Sequence, residues 1–194
     1  FCTNPPSCDY TGAADSYNVP FQRTPMAIYQ CPSNPDSTPG NMVSDYQGIA
    51  GGGADSEAQC YGSPWPPDRR NFFNNGIFFV NSAVRVDDVR DGSSNTLMLG
   101  ENGRLQQDFI WSSTARGLTA ASEMGPLTAV QDAINFKYIG DRRSWSRRTL
   151  ASVHPGGAQA TMADGSVRFL SETLNVAILR ALAKRNSGQP IGEF

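Results

Sequence analysis

The segment between His154 and Leu182 constrains the fold of this chain more than any other part of the sequence. Two stretches with strand character, 158–162 and 167–170, are joined by Ala163-Asp164-Gly165-Ser166. An Asp-Gly pair accepts the positive φ angles of a tight type I′ turn, so this segment predicts a β-hairpin.

An amphipathic pattern follows the hairpin directly. Apolar residues recur with the spacing of one helix face: Leu174, Ala177, Ile178, Ala181 and Leu182. Ser171 is the predicted N-cap of this helix, and Gly188 is its predicted C-terminal stop. We therefore expect an antiparallel sheet with one face covered by a C-terminal helix.

The remaining elements are predicted to be short. Local apolar patterns indicate strands at 27–31, 45–50, 77–80 and 95–101, and a strand that bends at 84–89 into a helical turn ended by Gly92. Irregular structure is predicted for an arm at 1–27 and, with at most one short helix, for 112–150.

Composition supports the same fold class. Gly, Pro, Ser and Asn together make up a third of the 194 residues, which favours short strands and structured turns over a helical bundle or a coiled coil. The predicted fold is one α+β domain over 1–194, with an antiparallel sheet, long irregular loops and a C-terminal amphipathic helix.

Charge and hydropathy limit the partners. With 16 basic and 18 acidic residues the net charge is -2, so nucleic acid is not an expected partner. The longest apolar runs have four residues, too few to span a membrane. The sequence begins at Phe1 without an apolar leader, which favours a chain that is processed, truncated or incompletely recorded.

Four cysteines lie in the first third of the chain: Cys2, Cys8, Cys31 and Cys60. None forms a Cys-x-x-Cys pair near a histidine, so zinc is not expected. Three disulfide pairings are open; we favour Cys2 with Cys8 and Cys31 with Cys60, because each closes a local loop. Free buried thiols are the alternative. Disulfides would indicate an extracytoplasmic location, at the cell surface, in the periplasm or secreted.

His154 is the sole histidine, so any Ser-His-Asp or Cys-His mechanism would have to use it. A hairpin separates it from Asp164 by roughly 25–30 Å, too far for a dyad. Nucleophile-elbow, phosphate-loop and metalloprotease motifs are missing from the sequence, so we do not expect an enzyme. A structural role is predicted for the motif His154, Gly156, Gly157, Asp164 and Gly165, with a metal or ligand role for His154 as the alternative.

Two other groups are candidates for binding. Oxygen donors that a calcium ion could use lie within nine residues: Asp87, Asp88, Asp91 and Asn95. Asx turns and helix capping explain the same residues without a metal and are the favoured interpretation, and no other cofactor is expected. A second group could contact sugars, anions or a neighbouring subunit: Trp65, Trp111, Arg142, Arg143, Trp145, Arg147 and Arg148. For the arginines a solvated loop paired with nearby acids is the favoured interpretation, whereas Trp65 and Trp111 could be either core aromatics or exposed stacking platforms.

Three segments in order carry a family resemblance: 29–35, 91–101 and 154–169. They resemble the bacterial pseudopilin-like proteins named for a C-terminal His, nine residues, Asp-Gly motif, also labelled family 10 extracellular solute-binding proteins. The resemblance implies the head of a type IV pilin or type II secretion pseudopilin. It also implies an N-terminal apolar anchor helix, which is not in this sequence, and it supplies no catalytic residue.

The expected function is therefore that of a non-enzymatic extracytoplasmic structural subunit. Its expected partners are other pilin-like subunits or envelope proteins. The alternative is an extracellular module that binds a glycan or a small solute through its three tryptophans.

Overall fold

A computed structural model describes residues 25–35, 44–58, 60–61, 71–79, 82–103, 127–136, 148–189, 191 and 194. Nearly all of the predicted N-terminal arm lies outside these ranges. Within them the chain is α+β, as the sequence predicts, with one main sheet and one α-helix.

The main sheet is open and has five strands in the order β5-β1-β4-β6-β7. Its strands are β1 (Tyr46–Gly52), β4 (Leu97–Glu101), β5 (Leu127–Val130), β6 (Gly157–Met162) and β7 (Val167–Ser171). A separate pair consists of β2 (Cys60–Tyr61) and β3 (Asn71–Phe72). The strands predicted near 45–50 and 95–101 are confirmed, although the second begins at Leu97 because Asn95 belongs to a 3-10 turn.

The prediction of a purely antiparallel sheet is wrong. β1 pairs antiparallel with β4 but parallel with β5, which lies inside the stretch predicted to be irregular. β5 has four residues, too few to produce a clear alternation, and its partner lies far away in the sequence. Pairing with β1 is what makes it a strand.

The C-terminal hairpin is confirmed, but its turn is of another type. β6 and β7 pair antiparallel from Gly157↔Ser171 to Thr161↔Val167. Gly165 has a φ of +85°, whereas Asp164 is not in the positive-φ region. One positive φ at the glycine fits a turn followed by a bulge, not type I′, which needs two. Asp164 stabilises the turn by accepting the backbone N–H of Ser166.

The C-terminal helix is shorter than predicted. α1 spans Val176–Leu182, and Asn175, not Ser171, is its N-cap, with a side chain that accepts the N–H of Ala177 at 2.8 Å. Ser171 is the last residue of β7. The helix ends before Ala183, so Gly188 is not its stop.

The buried face of α1 agrees only in part with the predicted one, since Ile178 and the preceding Leu174 pack against the core as expected. Leu179, Leu182 and Ala183 are buried, whereas Ala177 is exposed. They pack into a core with apolar residues of all five strands of the main sheet: Ile49, Leu97, Val130, Ala158, Ala160, Met162 and Leu170. A Cβ atom added to Gly52 would lie 3.0 Å from that of Ala183, so this glycine lets the helix end approach β1 closely.

Three predicted strands have other conformations. Residues Ala27–Tyr29 form a turn of 3-10 helix, because the N–H groups of Tyr29 and Gln30 bond carbonyls three residues back. The described part of 77–80 is bent, although the N–H of Phe78 bonds the carbonyl of Ile49. In 84–89 the helical turn is present at Val86–Asp88, but the strand is not.

Within the described ranges, no helix has the length and apolar character needed to cross a membrane.

Candidate functional site

Three distant segments bring a thiol, a carboxylate and an imidazole together at one end of the sheet. Cys31 follows the first 3-10 turn, Glu101 ends β4, and His154 precedes β6. Nε2 of His154 lies 3.5 Å from Sγ of Cys31 and 3.4 Å from Oε1 of Glu101. The three donor atoms all lie within 4.8 Å of one another.

Asp45 positions Cys31. Its carboxylate accepts the N–H of Cys31 at 2.6 Å and the side-chain amide of Asn34 at 2.8 Å. Its own N–H donates to the carbonyl of Tyr29 at 2.7 Å. Since Asp45 is buried directly before β1, these bonds fasten the segment around Cys31 to the start of the central strand.

Glu101 is held in place by the neighbouring strand. One carboxylate oxygen accepts the N–H of Gln159 in β6 at 3.0 Å, and the other faces His154. The Glu101 side chain is 1% exposed. Burial of a carboxylate is costly unless a charge or hydrogen bonds compensate it, so this side chain needs both contacts.

His154 lies at the open side of the group. The backbone N–H of His154 donates to the Ser152 hydroxyl at 3.0 Å, and the His154 side chain is 30% exposed. Solvent therefore reaches the group through the imidazole, whereas Cys31 is buried at 2% exposure.

The surroundings keep the thiol protonated. Burial raises the pKa of Cys31, and contact with Glu101 raises it further, although hydrogen bonds from the Ser33 backbone and from Tyr46 act in the opposite direction. Burial likewise raises the pKa of Tyr46 to about 12, with added contributions from Cys31 and Glu101. A protonated buried thiol is a poor nucleophile, so the trio does not resemble an activated Cys-His pair.

Sequence analysis missed this trio because it looked for zinc ligands at close spacing. One signal was available: each of the three segments that carry the family resemblance contains one of the donors. The spacing of Cys31, Glu101 and His154 along the chain has no periodicity, since only the sheet brings them together.

The predicted pairing of Cys31 with Cys60 is not found. Cys31 is a free thiol that contacts His154. Its backbone is tied to Asp45, which turns the sulfur toward the end of β4. Cys2, Cys8 and the side chain of Cys60 lie outside the described residues.

The glycines of the predicted motif occupy positions that suit glycine. Gly156 has a φ of +81°. A Cβ atom on Gly157 would lie 2.0 Å from the carbonyl oxygen of Leu170. Asp164 and Gly165 form the turn at the far end of β6 from His154, and hydrogen bonds from Ser166 lower the pKa of Asp164.

The candidate calcium ligands make contacts typical of caps and tethers. Asp88 accepts the N–H of Arg85 at 2.8 Å, and Asp91 accepts the N–H groups of Ser187 and Gly188. The side-chain amide of Asn95 donates to the Asp91 carbonyl at 3.4 Å. Asp87 is exposed in the same 3-10 turn as Asp88.

Of the predicted arginine and tryptophan contact residues, Arg148 alone lies within the described ranges. Its guanidinium pairs with Asp132 at 2.8 Å. Trp65, Trp111, Arg142, Arg143, Trp145 and Arg147 lie outside those ranges.

The outer strand of the sheet exposes apolar side chains. Val167 is 65% exposed and Phe169 is 49% exposed, on the face of β7 opposite the buried Leu170. β7 ends the strand order, so within the described structure its outer edge has no strand partner. We call Val167, Phe169 and this edge the β7 surface.

A shallow open cavity of about 380 Å³ lies elsewhere, between the 3-10 turn at Val86–Asp88 and the end of α1. Arg90 and Arg185 both line it, and Arg185 donates to the carbonyls of Asn74 and Gly76 and lies over the ring of Phe79. Because the Arg185 guanidinium makes these contacts within the chain, its role at the cavity is to stabilise the packing of neighbouring segments.

Comparison with known proteins places this architecture in a family without assigning it an activity. No curated protein and no solved structure matches the chain. One family model, SBP_bac_10, matches residues 4–177, a range that contains Cys31, Glu101 and His154. The chain therefore belongs to the family described as "Protein of unknown function (DUF1559)".

Proposed function

We propose that this chain is a non-enzymatic extracytoplasmic structural subunit that acts through protein–protein contacts, in the manner of a type IV pilin or type II secretion pseudopilin head. The observation that carries the proposal is the β7 surface. Strand edges with free backbone groups and exposed apolar side chains are suited to pairing with another chain.

The geometry of β7 supports a contact role, and the family supports a location outside the cytoplasm. Phe169 and Val167 project from the same face of β7, beside the paired residues Gln159 and Thr161 of β6. Each exposed apolar side chain gains free energy when a partner covers it, at roughly 25 cal/mol per Å². The family label, which names solute binding, and the sequence resemblance both favour a location outside the cytoplasm.

The proposed absence of catalysis is supported by the state of the thiol. Cys31 is the nucleophile that the trio would offer, and burial keeps it protonated. In the proposed subunit the trio serves the architecture.

Photo-crosslinking tests the contact surface. The complete reading frame of the gene is expressed in its native host with p-benzoylphenylalanine in place of Val167. We expect crosslinks to a second copy of the chain or to another pilin-like protein, identified by mass spectrometry in envelope fractions. Val86, which is 81% exposed on a 3-10 turn away from β7, is the control position and should not crosslink.

Two outcomes would contradict the proposal. One is equal crosslinking at both positions, because nonspecific collisions would explain it. The other is no crosslinking at Val167 together with saturable binding of a glycan or small solute in a thermal-shift screen, which would favour the binding module instead.

A further inference from the structure

We propose that Cys31, Glu101 and His154 form a binding site for a single divalent transition-metal ion of the zinc type. This inference goes beyond the structural role proposed above and holds whether or not the chain assembles with partners. It also replaces the expectation from cysteine spacing that zinc is absent.

The donor distances fit such an ion. Ligand atoms about 2.0–2.3 Å from a tetrahedral zinc lie about 3.3–3.7 Å from one another. Nε2 of His154 is 3.5 Å from the Cys31 sulfur and 3.4 Å from the Glu101 oxygen. The Cys31 sulfur and the Glu101 oxygen lie within 4.8 Å of each other, so modest side-chain movements would complete the coordination.

The donor set selects the class of metal. A thiolate and an imidazole prefer zinc and its soft or borderline neighbours, whereas calcium and magnesium prefer oxygen alone. Binding transfers the thiol proton of Cys31 to solvent, so a dication meets one thiolate and one carboxylate. The resulting neutral centre suits a place where Cys31 and Glu101 are almost completely buried.

The surrounding hydrogen bonds orient two of the ligands. Gln159 holds the second oxygen of Glu101, and Asp45 holds the backbone of Cys31. Such supporting contacts restrict ligand orientation before the metal arrives. The exposed side of His154 leaves a route for the ion and room for a water molecule as fourth ligand.

Metal titration of the whole chain tests the site. Protein freed of metal with a chelator is titrated with Zn²⁺ by calorimetry and with Co²⁺ by absorbance. We expect one equivalent of either ion and a sulfur-to-cobalt charge-transfer band. Cys31→Ser should abolish that band, and His154→Ala should weaken Zn²⁺ binding by about 100-fold or more, since even supporting residues contribute 10- to 100-fold.

Two variants serve as matched controls. A triple replacement, Cys2→Ser with Cys8→Ser and Cys60→Ser, leaves Cys31 as the sole thiol and should keep the band. Asp164→Asn changes an exposed acid of the same sequence motif at the far end of β6 and should keep the Zn²⁺ affinity.

A measurement on the unmodified chain covers the case in which Cys31→Ser does not fold. Zn²⁺ should slow alkylation of Cys31 by iodoacetamide at least tenfold, as followed by peptide mass spectrometry. An unchanged alkylation rate at saturating Zn²⁺, no binding in the titration, or a cobalt spectrum that persists in folded Cys31→Ser would each overturn the proposal.

Discussion

Sγ of Cys31 lies 3.5 Å from Nε2 of His154, although 123 positions separate the two residues in sequence. Glu101 completes the group from a third segment, at the end of a central strand. A contact over this separation depends on the sheet, so the trio and the fold should fail together when the sheet is disturbed.

Leu179→Ala should lower the free energy of unfolding by about 2–5 kcal/mol, because its fully buried side chain would leave a cavity in the core. Ile178→Ala is the matched control on the same helix. Ile178 is only partly buried, so its loss should cost clearly less. Urea unfolding of both variants measures the difference. Equal losses would contradict the observed buried face of α1.

Gly157→Ala should destabilise the chain by about 1–3 kcal/mol or more, since the new methyl group would overlap the carbonyl oxygen of Leu170. Gly156→Ala provides the comparison. At Gly156 a Cβ atom meets nothing within 4 Å, and the cost comes from its positive φ alone, about 1–2 kcal/mol. Thermal unfolding would rank the variants, and a larger loss at Gly156 would argue against this packing of the hairpin.

Glu57→Gln should reduce stability by only about 0.2–1 kcal/mol, because its ion pair with Lys184 is partly exposed. That pair and the N–H of Ala54 lower the pKa of Glu57 from 4.5. The native chain thus binds this proton less readily than the unfolded chain. The contribution is present above about pH 4.5 and is lost as the pH falls through the lowered pKa.

Urea titrations of Glu57→Gln and of the original chain at two salt concentrations measure the contribution of the Glu57–Lys184 ion pair to the free energy of unfolding. The difference between them should shrink at high salt, because mobile ions screen an exposed pair. A difference that is independent of both salt and pH would show that packing, not charge, accounts for the effect.

Alkaline pH should destabilise the metal-free chain. The pKa of Tyr46 is raised from 10.0 to about 12, and that of Cys31 is raised from 9.0. The unfolded chain therefore loses these protons at lower pH than the native chain does. Stability is retained below the unfolded values and declines as the pH rises through the native ones.

Tyr46→Phe isolates the tyrosine contribution. The free energy of unfolding of this variant, measured by urea titration between pH 9 and pH 12, should fall less steeply than that of the original chain. Identical slopes would mean that the hydroxyl of Tyr46 titrates alike in the native and unfolded states.

Local sequence was sufficient for the elements whose contacts are local. The Asp164-Gly165 turn and the paired strands beside it were predicted because neighbouring residues form them. The α+β class and the strand that ends at Glu101 were predicted from composition and from the local apolar pattern, although the partners of that strand are distant in sequence. The exact limits of α1 were not predicted from sequence. Ser171 and Asn175 can both cap a helix, and in the structure Ser171 belongs to β7 while Asn175 is the N-cap.

Three features were decided by tertiary structure alone. β5 is a strand because β1 offers it a parallel partner, and its four residues carry no pattern of their own. Leu179, not Ala177, faces the core because the sheet determines which side of α1 is covered. The trio of Cys31, Glu101 and His154 exists because three segments distant in sequence meet at one end of the sheet. Local propensity acts over a few residues. A cluster such as this trio is instead assembled by contacts between segments that are far apart in the sequence.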